Sequence, residues 1–325
     1  MSITAVGLSL LISLRPKQWT KNGLVLFPLL FAINKWWAPD DFSGMAVLIS
    51  KSFAACGIFV LLSGGVYLLN DLADIKSDRI HQIKRFRPIA SGALPIPLAW
   101  LMAFLIIAFT LICSFVITPP FGFTALAYLL LMISYNAKLK HVVLIDVMTI
   151  ALGFVLRALA GAMAIDGFVL GQIEEPVGLH TKFVLDVTVS PWLYICTGMG
   201  ALFIALSKRR SELSQAGEQS NKQRPVLRAY NISFLDQLIG VVAPATLVSY
   251  ALYTFSGVGG ANVPPNNLMM LTVPFVAYGI LRYLFLIYRE NRGETPEEIL
   301  IKDRPLFVNV LLWLGTATII LFLNA

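Results

Sequence analysis

Residues 46–69 read AVLISKSFAACGIFVLLSGGVYLL, and residues 70–87 continue NDLADIKSDRIHQIKRFR. The first stretch holds a single charged residue, Lys51. It is long enough to cross the hydrocarbon core of a bilayer as an α-helix, which takes about 20 apolar residues. The second stretch is strongly charged. This abrupt change predicts a transmembrane helix that ends at a membrane boundary and is followed by a polar surface.

The same alternation of apolar and polar stretches recurs along the whole chain of 325 residues, of which 57% are hydrophobic and 13% charged. Soluble domains carry about 25% charged residues. We therefore expect an all-α polytopic membrane protein with a single transmembrane domain over residues 1–325. Residues 1–20 are expected to lie along the membrane interface or to form a frayed tail. Nine spans are expected, with approximate limits 23–37, 46–69, 98–117, 121–135, 144–165, 183–207, 234–255, 268–287 and 306–323.

The positive charge is distributed unevenly between the two sides of these spans. Most of the 25 Lys and Arg residues precede the first span or follow the second, fourth, sixth and eighth. Only Lys35, Lys51 and Lys182 fall on the opposite side. Cytoplasmic loops carry an excess of Lys and Arg. We therefore predict that the N-terminus and the polar loops at about 70–97 and 207–233 face the cytoplasm, across the plasma membrane.

Four polar residues follow the second span at helical spacing. At 100° per residue they share about 100° of a helix surface, and like charges that close repel each other unless a cation binds between them. Oxygen ligands suit Mg²⁺, which commonly binds one or two carboxylates together with substrate phosphates. A solvated acidic helix face is the alternative. The four residues are Asn70, Asp71, Asp74 and Asp78.

Three basic residues follow this acidic group, at Lys84, Arg85 and Arg87. Clustered cations beside a carboxylate-bound metal favour a phosphorylated substrate, although positive-inside topology alone accounts for part of them. The three Cys and three His residues are scattered, and no CxxC pair occurs. Neither a disulfide nor a His/Cys metal site is expected.

The acidic group matches the NDxxDxxxD motif of the UbiA superfamily of intramembrane prenyltransferases. The resemblance implies a helical bundle around a central cavity that opens sideways to lipid. It also implies a diphosphate held through Mg²⁺ at this motif. Asp71, Asp74 and Asp78 are then the expected catalytic and metal-binding residues, and Asn70 is expected to bind both metal and substrate.

Within that superfamily, stretches 14–22, 84–92, 135–141, 207–212 and 296–304 resemble the decaprenyl-phosphate phosphoribosyltransferases. Basic residues stand after span six, where quinone- and haem-prenylating members carry a second Asp-rich motif. This charge suits two phosphorylated substrates, although it also suits anchoring at lipid headgroups. The resemblance implies further substrate-binding residues at Lys17, Lys21, Asn22, Lys84, Arg85, Arg87, Lys140, Asp146, Lys208, Arg209 and Glu212.

Arg157 lies within the fifth predicted span. It either reaches the substrate cavity, where it would bind substrate, or pairs with another buried group, since ionisable residues inside a bilayer usually face the bundle interior.

The resemblance implies Mg²⁺-dependent transfer of 5-phosphoribose from phosphoribosyl pyrophosphate to a polyprenyl phosphate, with release of pyrophosphate. The expected partners are these two substrates and the bilayer; no nucleic acid is expected, and a homo-oligomer is left open. The alternative within the superfamily is transfer of a prenyl group to an aromatic or lipid acceptor. A transporter is disfavoured because the carboxylates lie at the inner boundary and not near the midplane.

Overall fold

The computed structural model describes residues 3–31, 42–81, 83–165, 191–216, 225–255, 267–290 and 296–323. Within these ranges the secondary structure is helical and no β-strand occurs, so the all-α prediction is confirmed. Short 3₁₀-helices cover Pro16–Leu26, Lys84–Phe86, Leu139–His141, Pro225–Ala229 and Leu268–Thr272. The α-helices are α1 (Ile3–Ser13), α2 (Phe27–Phe31), α3 (Phe42–Ala73), α4 (Ile75–Ile80), α5 (Pro88–Ser91), α6 (Ile96–Ile117), α7 (Pro119–Ala137), α8 (Ile145–Ile165), α9 (Pro191–Ala216), α10 (Ile232–Thr254), α11 (Val273–Glu290), α12 (Pro296–Lys302) and α13 (Arg304–Leu323).

Seven helical segments are long and apolar enough to cross a membrane, and the protein is an integral membrane protein. They are α3, α6, α7, α8, α10, α13 and the continuous segment Leu268–Glu290. The predicted number of nine spans is therefore not confirmed over the described ranges. The predicted span 183–207 starts outside the described residues and overlaps α9, which has 26 residues. The predicted span 23–37 also ends outside them.

The N-terminal region differs from a simple spanning helix. Residues Pro16–Leu26 form a 3₁₀-helix, and only Phe27–Phe31 continue as α-helix, so the described part of the predicted first span is not a straight α-helix. The segment packs between α3 and α8. Gly161 on α8 allows the closest approach, because a Cβ atom there would overlap the backbone carbonyl of Val25.

Helix α8 lies at the centre of the bundle. It packs against α3, α7 and α9, and it is the most buried of the seven candidate spans. Small side chains let neighbouring helices approach closely in a membrane, and α8 is rich in them, at Gly153, Ala158, Ala160, Gly161, Ala162 and Ala164. Two charged residues, Asp146 and Arg157, are also buried on this helix. The centre of the bundle therefore contains charges that need internal partners.

Candidate active site

The first polar cluster forms where α3 ends and α4 begins. Asp71 and Asp78 are both buried, and both accept hydrogen bonds from the same nitrogen, Nη1 of Arg87, at 3.0 and 2.7 Å. The backbone turns at Asp74, between the two helices. The structure thus brings two of the three predicted carboxylates to one point, together with one of the predicted basic residues.

Arg15 joins this cluster from a distant part of the chain. Its Nη2 donates to Asp71 Oδ1 at 2.5 Å, and its guanidinium lies 4.7 Å from the centre of the Tyr67 ring. Arg15 has a left-handed backbone conformation, with φ of 54°, between α1 and the 3₁₀-helix Pro16–Leu26. Non-glycine residues with positive φ are uncommon and often mark functional sites. Arg15 lies in the stretch 14–22 but was not among the predicted site residues, so its contact with Asp71 was missed.

Asp74 has a different partner. Lys140, in the 3₁₀-helix between α7 and α8, donates to Asp74 Oδ1 at 3.1 Å, so two predicted site residues meet across 66 positions of sequence. Asn70 is half-buried one helical turn before Asp74, and its carbonyl accepts the backbone N–H of Asp74. Asp71, Asp74 and Asp78 are therefore each paired with basic side chains from other elements.

The loop between α4 and α5 carries the other predicted basic residues. Lys84 is half-buried, whereas Arg85 is exposed and stacks on Phe86 at 4.8 Å. His81 Nδ1 accepts the backbone N–H groups of Ile83 and Lys84, which holds this turn together. Partial burial and the charge of Lys84 lower the pKa of His81 below its usual range, which favours the neutral ring. The loop thus presents its positive charge through Lys84 and Arg85.

A second polar cluster lies between the start of α8 and α9. Arg209 donates to Asp146 Oδ2 at 2.8 Å and to Glu212 Oε2 at 2.6 Å, and its Nη2 lies 3.4 Å from the Tyr135 hydroxyl. Tyr230 donates to the other oxygen of Asp146 at 2.7 Å. Burial raises the pKa of Tyr230, which keeps the phenol protonated and able to donate. Sequence reasoning missed both tyrosines.

This second cluster changes the interpretation of two predicted substrate-binding residues. The Arg209 side chain is 2% exposed and the Asp146 side chain 0%, so their ion pair is buried inside the protein. Arg209 faces carboxylates here, which makes it an internal counter-ion for α8. Lys208 precedes it on the same helix and is half-buried. A phosphate-binding role for these residues stays a prediction.

The third polar group surrounds Arg157. Its side chain donates to Asn22 Oδ1 at 3.0 Å, to the Gly153 carbonyl at 2.9 Å and to the Tyr128 hydroxyl at 2.7 Å. Asn22 in turn donates to Ser63 on α3. Of the two alternatives for Arg157, this geometry matches pairing with buried groups, and the partners are neutral. Arg157 and Asn22 tie the 3₁₀-helix Pro16–Leu26 to α8.

The two remaining predicted residues, Lys17 and Lys21, lie in the 3₁₀-helix Pro16–Leu26. Lys21 is half-buried within it. Lys17 is 87% exposed and its Nζ lies 3.6 Å from Glu298 on α12. Arg282, on α11, forms a bidentate pair with Asp303 at 3.2 and 2.8 Å. Lys17 and Arg282 therefore contact the short C-terminal elements, outside the cluster around Asp71.

Comparison with known proteins identifies the fold and its family. A sequence model of the UbiA prenyltransferase family matches residues 25–311, which is most of the chain. The chain belongs to the UbiA prenyltransferase family. The UbiA homologue of Archaeoglobus fulgidus, solved with GPP and Mg²⁺, superimposes with a TM-score of 0.63 over 96% of this chain and 99% of that one, at 18% identity. The UbiA-like bundle is thereby confirmed as the fold.

Several curated relatives are similar to this chain over most of their length. The decaprenyl-phosphate phosphoribosyltransferase of Mycolicibacterium smegmatis is 33% identical over 94% of this chain and 89% of that protein. The protein of the same name from Mycobacterium tuberculosis is 30% identical over 94% of this chain and 91% of its own. These relatives extend the similarity far beyond the NDxxDxxxD motif.

The UbiA motif in this chain offers a suitable donor set for a divalent metal. Mg²⁺ prefers carboxylate oxygens and commonly takes one or two of them together with substrate phosphates. Asp71 and Asp78 already converge on one cationic nitrogen, so their oxygens lie where a small cation could be shared. Among the described residues, no three His, Cys, Asp or Glu side chains form a ready metal site. The carboxylates of Asp71 and Asp78 therefore fit a divalent ion that substrate phosphates also coordinate. Metal binding by Asn70 and Asp74 stays a prediction.

Proposed function

We propose that this protein transfers 5-phosphoribose from phosphoribosyl pyrophosphate to a polyprenyl phosphate in a Mg²⁺-dependent reaction. The observation that carries this proposal is the similarity to decaprenyl-phosphate phosphoribosyltransferases, at 30–33% identity over almost the whole chain. The polar clusters support it, since carboxylates and basic side chains are interleaved at one end of the bundle. That pattern suits the binding of two anionic substrates.

The reaction needs no strong general base. A lipid phosphate oxygen is already anionic near neutral pH and attacks the anomeric carbon directly. A bond forms between this oxygen and that carbon, and the bond from the carbon to pyrophosphate breaks, so the leaving group departs with the electron pair. When bound, Mg²⁺ supplies charge neutralisation on the leaving diphosphate. Attack from the opposite side predicts inversion at the anomeric carbon.

In the first cluster, the acidic residues would bind the metal and the basic residues would bind phosphate. Asp71 and Asp78, with Asp74 and Asn70, would hold the metal. Basic side chains around them would bind and orient phosphate oxygens, because guanidinium groups match phosphate geometry and lysine supplies a point charge. These are Lys84, Arg85, Arg87 and Lys140, and Lys17, Lys21 and Lys208 are further candidates.

The decisive test is a transfer assay with the purified protein. Labelled phosphoribosyl pyrophosphate and a polyprenyl phosphate are incubated with Mg²⁺ or with excess EDTA. We expect label in the lipid fraction only with Mg²⁺. A parallel assay with a labelled prenyl diphosphate and aromatic acceptors tests prenyl transfer, the activity suggested by the family's name. Label that enters lipid only in the parallel assay would overturn the proposal.

The proposed location follows from the charge distribution. The basic loops that carry the site would face the cytoplasm, with the N-terminus inside and the chain in the plasma membrane. A water-soluble donor would reach the site from that side, while the polyprenyl tail would stay among the apolar helices. The single-domain organisation belongs to the same proposal, and a homo-oligomer is left open.

A further inference from the structure

Basic side chains already occupy the carboxylates of the UbiA motif. Arg87 bridges Asp71 and Asp78, and Arg15 donates to the same Oδ1 atom of Asp71. Lys140 pairs with Asp74 in the same way. A cation that bound the same oxygen atoms, Asp71 Oδ1, Asp78 Oδ2 or Asp74 Oδ1, would therefore compete with the basic side chains.

The carboxylates of this cluster are more deeply buried than the arginines that pair with them. The side chains of Asp71 and Asp78 are each 3% exposed, whereas those of Arg15 and Arg87 are 21% and 26% exposed. The carboxylates are fixed on helices, and a buried carboxylate that loses its partner is strongly destabilised. The guanidinium groups lie at the edge of the site, where a change of partner needs only side-chain rotation. The arginines are thus the members of the cluster that can exchange partners.

A displaced guanidinium needs a new acceptor of matching geometry. Phosphate oxygens provide one, since they accept two parallel N–H donors from arginine. The donor of the proposed reaction carries a diphosphate and a 5-phosphate. A divalent cation alone removes the arginines from their carboxylates without providing such acceptors. When both bind, the cation replaces the arginines at the carboxylates, and the donor phosphates accept the N–H groups of the arginines.

We propose that Arg15 and Arg87 couple the binding of the divalent cation to the binding of the phosphorylated donor. They compete with the cation for Asp71 and Asp78 when the donor is absent, and they move to donor phosphates when it binds. This inference rests on the proposed function. By linkage, each ligand then strengthens the binding of the other by the same factor.

The test uses Arg15→Gln and Arg87→Gln, each in the full-length protein. Mn²⁺ binding without any phosphate is measured by electron paramagnetic resonance. Binding of labelled phosphoribosyl pyrophosphate is measured at saturating Mg²⁺, with the lipid acceptor omitted so that no turnover occurs. Coupling factors between sites are typically about 5–150-fold. We expect each variant to bind Mn²⁺ about tenfold more tightly and the donor about tenfold more weakly than the unmodified protein.

Two further variants sharpen the result. Arg79→Gln removes the same charge from α4, where the guanidinium donates to the Ala90 carbonyl at 3.2 Å, and it should leave both affinities unchanged. Arg87→Lys keeps the charge but cannot form two parallel N–H bonds to a phosphate. It should therefore weaken binding of phosphoribosyl pyrophosphate while Mn²⁺ affinity stays within about twofold of that of the unmodified protein. Each protein is first checked for a single symmetric peak in gel filtration.

The outcomes separate the inference from the proposed function. If Arg15→Gln and Arg87→Gln both weaken Mn²⁺ binding, the arginines assemble the carboxylates and do not compete with the cation, and the inference is wrong. The same conclusion follows if neither affinity changes. In both cases, donor binding by the unmodified protein with Mg²⁺ leaves the proposed function standing. If the unmodified protein binds neither Mn²⁺ nor the donor, the proposed function itself fails.

Discussion

At the residue scale, two arginines make the same kind of contact, an ion pair with two carboxylates, but differ in burial. Arg87 and Arg209 each lie between two carboxylates, Asp71 and Asp78 for the first and Asp146 and Glu212 for the second. The Arg87 side chain is 26% exposed and lies at the edge of the bundle, whereas that of Arg209 is 2% exposed. Arg87 can therefore exchange partners with little loss of stability, whereas the same exchange would strongly destabilise Arg209 and its partners. The exposure of Arg87 suits the proposed binding site, and the burial of Arg209 suits a structural role, which the next prediction tests.

The Arg209 interaction leads to a prediction about stability. Arg209→Ala leaves Asp146 buried without its main cationic partner, and such a break costs about 3–5 kcal/mol. We expect a large fall in thermal stability in detergent and poor recovery of folded protein. The neighbouring change Lys208→Ala should leave stability unchanged and weaken donor binding. A stable Arg209→Ala protein with weakened donor binding would instead place Arg209 among the substrate ligands.

The motif carboxylates lead to a second prediction at this scale. Asp78→Asn keeps the size of the side chain but removes the charge that Arg87 and the proposed metal share. Changes of residues that only support metal ligands typically cost about 10–100-fold. Because Asp78 is proposed as a ligand itself, we expect transfer activity to fall by about 100-fold or more while the protein stays folded. Asp74→Asn should also abolish turnover. Asp236→Asn is the control, because that carboxylate pairs with Arg210 outside the first cluster. Near-normal activity of Asp78→Asn would remove the proposed metal site.

Sequence patterns could locate some of these residues and not others. Asp71 and Asp78 are found by their spacing after an apolar run, because helical periodicity places them on one face. Arg15 and Tyr230 have no such signal, since their contacts with Asp71 and Asp146 span 56 and 84 positions. In addition, the positive-inside rule alone explains a single Arg near a membrane boundary, so its presence does not indicate a binding site. Only the packing of the helices shows which basic and aromatic side chains complete the clusters.

At the element scale, the N-terminal segment was predicted least well. Apolar composition predicted the positions of α3, α6, α7 and α8 to within a few residues, since each is a long and mainly apolar run. The same composition does not distinguish an α-helix from the 3₁₀-helix Pro16–Leu26. That choice depends on contacts with α3 and α8, including the buried bonds of Asn22 to Ser63 and Arg157. The segment places Arg15 at its start, beside the site.

The close approach of this segment to α8 can be tested with glycine substitutions. A Cβ atom at Gly161 would overlap the carbonyl of Val25, and backbone cannot move aside as a flexible side chain can. Gly161→Ala should therefore cost about 1–3 kcal/mol, the usual range for overpacking, and should lower activity by displacing Arg15. Gly240→Ala on α10 meets no atom within 4 Å and should be neutral. Unfolding in detergent measures stability, and the transfer assay measures activity. Equal behaviour of the two variants would show that the 3₁₀-helix is not held by this contact.

At the scale of the whole molecule, the first and second polar clusters share one end of the helical bundle. Asp71 lies near the end of α3, Asp146 lies at the start of α8, and Arg209 lies in the last third of α9. Lys140 links the clusters in sequence and space, because its 3₁₀-helix leads into α8 and its side chain reaches Asp74. The junction between α6 and α7 lies at the other end and carries no charge at residues 117–122. One end of the bundle thus carries both polar clusters, whereas the described junction at the other end is uncharged.

This polarity predicts how the protein is oriented in the cell. Ser77→Cys places a thiol on exposed α4, at the charged end, and Pro119→Cys places one at the start of α7, at the opposite end. The native Cys56, Cys113 and Cys196 are first replaced by Ala, and each variant must retain transfer activity. A membrane-impermeant maleimide added to intact cells should label position 119 and spare position 77, because Lys- and Arg-rich loops remain in the cytoplasm. Position 77 should become reactive once the membrane is opened. Labelling of position 77 in intact cells would put the carboxylate cluster outside, where the proposed donor could not be drawn from the cytoplasm.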